Sequence, residues 1–183
     1  MACVATFRPL AKGGARRGVS VLEAVVAMGL LVVLAGISIT VLLGARKSRA
    51  LAQCAANLHA MSHAFLLYTQ DYNDFYPVPT PAAQWEDQLR AYVPRSTFDC
   101  PADHELYDAL SSSYDWRDTG NPATTLAGVP ASKVIHPDVA LAFDALPDWH
   151  APGKIQVLRA DASIGLTDMN AFFGDLQRSP TAP

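Results

Sequence analysis

The chain has 183 residues, half of them hydrophobic, and carries 14 basic and 17 acidic side chains, for a formal net charge of −3. This length accommodates one modest domain together with an anchor segment. The acidity argues against a general nucleic-acid-binding protein, which would present a basic face.

The N-terminal region combines a basic leader with a long apolar run. The leader, residues 1–18, has no acid and four basic side chains: Arg8, Lys12, Arg16 and Arg17. Ten basic and 17 acidic side chains remain after it. The 25 residues from Val19 to Leu43 contain Glu23 as their only charge. As a helix they extend about 37 Å, enough to cross a bilayer core of about 30 Å. This predicts a membrane-spanning helix over residues 19–44.

A secretory signal peptide is another interpretation of the same run. Signal peptides have an apolar region of about 7–15 residues followed by a small-residue cleavage site. Residues 50–52, Ala-Leu-Ala, have a suitable composition, but three basic residues separate them from the run. Because the run is also too long, the sequence favours a helix that stays in the membrane.

The junction between leader and run has a specific pattern. The residues Gly18-Val19-Ser20-Val21-Leu22-Glu23 resemble the cleavage and methylation site of type IV prepilins and type II secretion pseudopilins. That site is a glycine, usually a phenylalanine, Ser or Thr, two aliphatic residues and a glutamate; here Val19 replaces the phenylalanine. The resemblance implies that a prepilin peptidase cuts after Gly18 and N-methylates Val19. It also implies that Glu23 pairs with the N-terminal amine of a neighbouring subunit.

The expected function follows from this resemblance. We expect a structural subunit that assembles with other pilin or pseudopilin subunits through an inner-membrane assembly platform. The basic leader favours a single-pass topology with the leader cytoplasmic and the rest extracytoplasmic. The alternative is a non-assembling, membrane-anchored binding module, in which Glu23 is an interfacial glutamate that reaches headgroup water. Assembly requires Glu23, whereas a plain anchor tolerates Gln or Leu there.

Residues 45–74 are predicted to continue the helix as an amphipathic segment. Apolar side chains recur at spacings of three and four on one face: Cys54, Leu58, Met61, Phe65, Tyr68 and Tyr72. Such a stripe is typical of a helix packed on a domain. The opposite face is expected to hold Arg49, Gln53, Asn57 and Gln70. The pair Asn73-Asp74 and the prolines that follow predict the end of the helix.

Residues 75–178, called the head below, are predicted to form a small α+β domain with an antiparallel sheet. The patterns predict a short helix over 85–92, a turn or strand end at 98–101 and a surface loop over 111–128. Strands are predicted at 139–143, 155–158 and 164–166, with 134–135 a candidate start of another. Residues 179–183 are expected to be a disordered tail. The fold class is thus α+β, with a long helix packed on a small head, as in pilins.

Two cysteines remain beyond the leader, which contains Cys3. An extracytoplasmic location permits a disulfide between Cys54 and Cys100. Closing this separation of 46 residues would stabilise the fold by about 4 kcal/mol. The alternative is two buried free thiols, since cysteine is often simply buried.

The head carries a second resemblance. Several short elements are similar to those of prepilin-like proteins from planctomycete-type bacteria: residues 54–58 (Cys-Ala-Ala-Asn-Leu), Tyr68 with Asp71, Pro77, Trp85 and Cys100-Pro101. Many of those proteins end in a His-x9-Asp-Gly element. Here ten residues separate His150 from Asp161, and Ala162 occupies the position of the glycine.

The sequence contains no Gly-x-Ser-x-Gly, phosphate-loop or His-Glu-x-x-His motif, and we expect no enzymatic activity. No cofactor is expected, except that calcium is possible, because it prefers oxygen ligands and several acidic side chains lie close together in the sequence. The calcium candidates are Asp144, Asp148, His150 and Asp161, with Asp168 close by. Their spacing is not that of an EF-hand, and solvated loop aspartates are the other interpretation. A zinc site from His136, His150 and aspartates is less favoured, because zinc prefers convergent His or Cys ligands.

Overall fold

The structure is a computed structural model that describes residues 20–103 and 105–182. Its fold is α+β, with a long N-terminal helix and a four-stranded antiparallel sheet, as predicted. The helices are α1 (Val21–Asp71), α2 (Trp85–Leu89), α3 (Leu106–Leu110) and α4 (Met169–Gln177), with 3-10 helices at Arg95–Phe98 and Ala131–Lys133. The strands are β1 (Tyr114–Trp116), β2 (Ala140–Asp144), β3 (Lys154–Arg159) and β4 (Ile164–Asp168).

Helix α1 contributes to two compact units, which divide between Leu42 and Leu43. In the first unit its apolar side chains are exposed from Val21 onward. Within the described part of the chain, α1 is the one helix long and apolar enough to cross a membrane by length and composition.

The second part of α1 confirms most of the predicted apolar stripe. Five of its side chains are buried: Cys54, Leu58, Met61, Phe65 and Tyr68. The prediction is wrong for Tyr72, which is 54% exposed. Its ring stacks on the ring of Tyr68, with centroids 4.2 Å apart. The prediction is also wrong for Asn57, which is expected on the solvent face but is buried. Asn57 lies three residues after Cys54 and four before Met61, so it borders the stripe, and a buried face slightly wider than the stripe includes it.

The end of α1 agrees with its prediction. Asn73 and Asp74 have φ angles of 54° and 74°, in the left-handed region that terminates many helices. The backbone N–H of Asp74 donates to the carbonyl of Thr69 over 2.7 Å. This satisfies a carbonyl that the last turn of the helix would leave without a partner.

The sheet has the simple order β1-β2-β3-β4, with every neighbouring pair antiparallel. Strands β2, β3 and β4 lie within a residue or two of their predicted positions. The predicted loop over 111–128 is wrong in part, because it contains β1 and several buried residues: Ser112, Ser113, Tyr114, Trp116 and Arg117. No strand begins at 134–135, which instead follows a 3-10 helix.

Two hydrophobic cores form on the two faces of the sheet. The first includes the buried face of α1, where Phe65 stacks on Trp85 and Trp116 with ring centroids 6.0 and 5.7 Å apart. The second includes α4, whose Phe172 contacts Phe143 at 4.7 Å between ring centroids. Strand β3 supplies both cores because successive side chains of a strand point to opposite faces. The sequence patterns do not predict helices α3 and α4.

Residues 179–182, expected to be disordered, lie against the head. Pro180 is buried. Its carbonyl accepts hydrogen bonds from the backbone N–H groups of Ile135 and His136, over 3.0 and 3.4 Å.

Candidate functional site

The predicted processing and assembly residues lie at the start of α1. Gly18 and Val19 are outside the residues that the structure describes. Glu23 lies in the first turn of α1 and is exposed. Negative charge is favourable at this end of a helix because of the macrodipole and the free N–H groups. Its carboxylate is therefore accessible to a group outside the chain.

A disulfide joins Cys54 of α1 to Cys100 of the head, with the sulfurs 2.01 Å and the Cα atoms 5.2 Å apart. Both residues are fully buried. The backbone N–H of Cys100 donates to Ser113 Oγ over 3.0 Å, and Ser113 in turn donates to Asp103 over 2.7 Å. The bridge thus joins α1 to the segment that precedes α3, at a point anchored to the residues before β1.

His150 lies next to this disulfide, and Asp144 lies next to His150. His150 is in the loop after β2, and its Nε2 is 3.5 Å from Cys100 Sγ. The same nitrogen is 3.7 Å from Oδ2 of Asp144, the last residue of β2. The two side chains are only 1% and 2% exposed. Two disulfide sulfurs, an imidazole and a carboxyl group therefore share one buried region, which we call the disulfide–histidine cluster (Cys54, Cys100, Asp144 and His150).

Burial controls the charge of this cluster. It raises the pKa of Asp144 to about 7, although the backbone N–H of Gln156, 3.0 Å away, acts in the opposite direction. Burial also lowers the pKa of His150. Both effects favour the neutral form of each group, because a low-dielectric surrounding penalises charge. Among the described residues, Asp144 Oδ1 and Gln156 Oε1 are buried without a hydrogen-bond partner.

The four calcium candidates do not converge. Asp148 accepts a hydrogen bond from the Gly153 backbone, and Asp161 accepts one from Ser163 in the turn between β3 and β4. Only Asp144 and His150 approach each other. The one set of three candidate ligand atoms within 4.8 Å of one another, in the part of the chain that the structure describes, belongs to Cys54, Cys100 and His150.

The imperfect His-Asp element is split between two places. His150 belongs to the disulfide–histidine cluster, whereas the backbone N–H of Asp161 donates to the carbonyl of Pro137 over 2.7 Å. Ala162, which replaces the glycine of the resembling proteins, has a φ angle of 65°. This left-handed conformation favours glycine, so the turn itself accounts for a glycine at that position.

Arg117 is a buried charged residue that the sequence patterns do not predict, and its side chain is completely inaccessible to solvent. Its guanidinium donates to the carboxylate of Asp175 over 3.0 Å and to the carbonyls of Thr124, Asp175 and Arg178 over 2.8, 2.7 and 2.6 Å. These bonds attach the C-terminal end of α4 to the residue after β1. An arginine within a polar stretch carries no sequence signal of burial, because three of its four hydrogen bonds go to residues 58 and 61 positions away.

Comparison with known proteins gives no relative: no family model, no curated protein and no solved structure matches this chain. Its similarity to pilins therefore depends on the pattern of residues 18–23, together with a long apolar helix and a small antiparallel sheet.

Proposed function

We propose that the protein is a pilin-like structural subunit, processed by a prepilin peptidase and assembled into a type IV pilus or a type II secretion pseudopilus. The observation that carries this proposal is the direct connection between the pattern of residues 18–23 and an unbroken helix with an exposed apolar surface. A surface of this length and polarity requires lipid or other apolar helices around it. A subunit that moves from membrane to filament meets both surroundings.

Glu23 supports assembly over simple anchoring. A carboxylate surrounded by lipid or apolar helices is costly unless it has a charged partner. Cleavage after Gly18 would create an α-amine on Val19, and a neighbouring subunit would supply that amine to Glu23. This arrangement would align each incoming subunit against the previous one.

Small residues along the same helix also support close packing between subunits. A Cβ added at Gly29, Gly36 or Gly44 would meet no atom within 4 Å. Gly29 and Gly36 are seven residues apart and so lie on nearly the same face of the helix. Small residues let helix backbones approach closely in apolar surroundings.

The first test is the identity of the mature N-terminus. The full chain is expressed in a bacterium with a prepilin peptidase, and its N-terminus is determined by mass spectrometry. We expect N-methylated Val19 in the unmodified chain and in the control Gly14→Ala, but an uncleaved chain for Gly18→Ala. Cleavage after Ala52, or no cleavage with an active peptidase, would overturn the proposal and leave a secreted or anchored module.

The second test separates assembly from anchoring. Glu23→Gln keeps the size of the side chain but removes its charge, whereas the control Ser38→Ala removes a hydroxyl that bonds only within α1, to the carbonyl of Leu34. We expect Glu23→Gln to remain in the membrane but to be lost from the sheared filament fraction. A Glu23→Gln chain that assembles like Ser38→Ala would contradict the role given to Glu23.

A further inference from the structure

The disulfide–histidine cluster has the donor set of a transition-metal site. Two cysteine sulfurs and an imidazole nitrogen lie within 4.8 Å of one another. Thiolate and imidazole are the ligands that zinc prefers. All three side chains come from different parts of the chain, namely α1, the segment before α3 and the loop after β2.

The distances between donors are close to those of a tetrahedral site. Zinc–sulfur bonds of about 2.3 Å and zinc–nitrogen bonds of about 2.05 Å place a sulfur and a nitrogen about 3.6 Å apart. The observed distance from Cys100 Sγ to His150 Nε2 is 3.5 Å. The two sulfurs, now bonded at 2.01 Å, would need to separate to about 3.8 Å. This sulfur–sulfur distance is incompatible with a metal, and reduction of the disulfide releases it.

Asp144 places a carboxylate beside His150, outside the group of three donors that lie within 4.8 Å of one another. Its Oδ2 is 3.7 Å from His150 Nε2, compared with about 3.3 Å between oxygen and nitrogen ligands of one zinc ion. Its Oδ1 is buried without a hydrogen-bond partner among the described residues. A side-chain shift would bring the carboxylate to the fourth position, which the three other donors leave open.

We propose that the reduced form of this cluster binds a thiophilic divalent metal ion such as zinc through Cys54, Cys100 and His150, with Asp144 as the fourth ligand. A dithiol breaks the sulfur–sulfur bond, supplies two electrons and two protons, and becomes a disulfide itself. Metal binding then releases the two thiol protons to solvent. His150 binds as the neutral imidazole, with its proton on Nδ1. The head therefore has two alternative cross-links at one position, a disulfide and a metal ion.

The test uses the full chain in detergent, with Cys3→Ser to remove the leader thiol and without a histidine tag. The disulfide is reduced with a phosphine, which does not compete strongly for zinc. Zinc affinity is measured by competition with a chromophoric chelator, and cobalt(II) is used as a spectroscopic probe. We expect one equivalent of zinc, tetrahedral cobalt d–d bands and a thiolate-to-cobalt charge-transfer band in the reduced chain only.

Two histidine variants show whether the site is the proposed one. His150→Gln removes a ligand, and we expect zinc affinity to fall by at least about 100-fold, more than loss of an outer partner usually costs. His59→Gln on the exposed side of α1 is the control and should bind as the parent does. The proposal would be overturned if the oxidised chain bound zinc as tightly as the reduced chain, or if His150→Gln bound it as tightly as His59→Gln.

Folding of the reduced chain is followed by circular dichroism in the same samples. If reduction unfolds the head, zinc should restore the native spectrum in the parent but not in His150→Gln. A reduced chain that stays unfolded at saturating zinc, or stays folded without binding it, would also overturn the proposal.

Discussion

The side-chain amide of Asn57 on α1 donates hydrogen bonds to the hydroxyl of Tyr114 on β1, over 3.2 Å, and to the carbonyl of Asp99, over 2.7 Å. One buried amide thus connects the long helix to the first strand and to the residue beside the disulfide. Its own carbonyl oxygen accepts a hydrogen bond from Gln53 over 3.1 Å, so the amide is satisfied on both sides.

Replacing Asn57 should therefore destabilise the head. Asn57→Ala leaves the buried Tyr114 hydroxyl and the partly buried Asp99 carbonyl without this donor, at a cost of about 1–3 kcal/mol in the free energy of unfolding. Denaturant unfolding of the full chain in detergent, followed by tryptophan fluorescence, measures the change. Gln70→Ala at an exposed position of α1 is the control, with an expected change within about 0.5 kcal/mol. Equal stabilities of the two variants would argue against a structural role for Asn57.

Arg117 should be the most sensitive charged residue of the head. Arg117→Ala removes four hydrogen bonds, one of them buried and three partly buried, although Asp175 keeps its ion pair with Arg178. We expect a loss of about 2–4 kcal/mol in the free energy of unfolding, because buried polar groups lose their donor. The matched control is Arg90→Ala, because Arg90 forms an exposed ion pair with Asp87 and such pairs contribute about 0–1 kcal/mol. A similarly small loss for Arg117→Ala would contradict the stabilising role assigned to its buried guanidinium.

Asp144 should make the stability of the head decrease as the pH rises. Its pKa is about 7 in the folded chain, compared with an ordinary value of 3.8, so the folded state binds more protons between these values. The stabilisation that Asp144 contributes is fully present below its ordinary pKa of 3.8 and is lost as the pH rises through its folded pKa of about 7. His150 acts in the opposite direction, because its lowered pKa reduces stability below its ordinary titration range. Tyr114, which also lies near Asp144, titrates at a raised pKa well above this window.

The variant Asp144→Asn isolates this effect because asparagine does not titrate. Relative to the parent chain, Asp144→Asn should become more stable by about 2–3 kcal/mol between about pH 5 and about pH 8. Denaturant unfolding at each pH gives the difference. An exposed substitution, Asp148→Asn, is the control and should show no comparable trend. A constant difference between Asp144→Asn and the parent would contradict a raised pKa of Asp144.

Reduction of the Cys54–Cys100 disulfide, in the absence of added metal, should lower the free energy of unfolding by about 4 kcal/mol, because the bridge closes a long loop in the unfolded chain. The measurement compares denaturant unfolding with and without a phosphine. The double variant Cys54→Ala/Cys100→Ala should not respond to the phosphine. A response of equal size in that variant would show that the reductant acts elsewhere.

Much of the fold follows from local patterns. The apolar stripe from Cys54 to Tyr68 places one face of α1 in the core, because side chains three and four residues apart share a face of any α-helix. Strands β2, β3 and β4 follow from short apolar runs bounded by turn residues. Helix α4 escapes prediction because it begins directly after β4 and lacks a separating turn.

The residues of the candidate sites also fall into two groups: those that local sequence patterns indicate, and those that only contacts between distant parts of the chain reveal. The pattern of residues 18–23 and the length of the apolar run are properties of consecutive residues, so both the membrane-spanning capacity and the pilin-like hypothesis follow before any tertiary contact is known. The sequence also indicates Cys54 and Cys100 as a candidate pair. The burial of Asn57 and Arg117, the approach of His150 to the disulfide and that of Asp144 to His150 depend on how the chain folds. These contacts join residues as far apart in the chain as Cys54 and His150, and the hydrogen bonding and desolvation that control them exist only once the chain has folded.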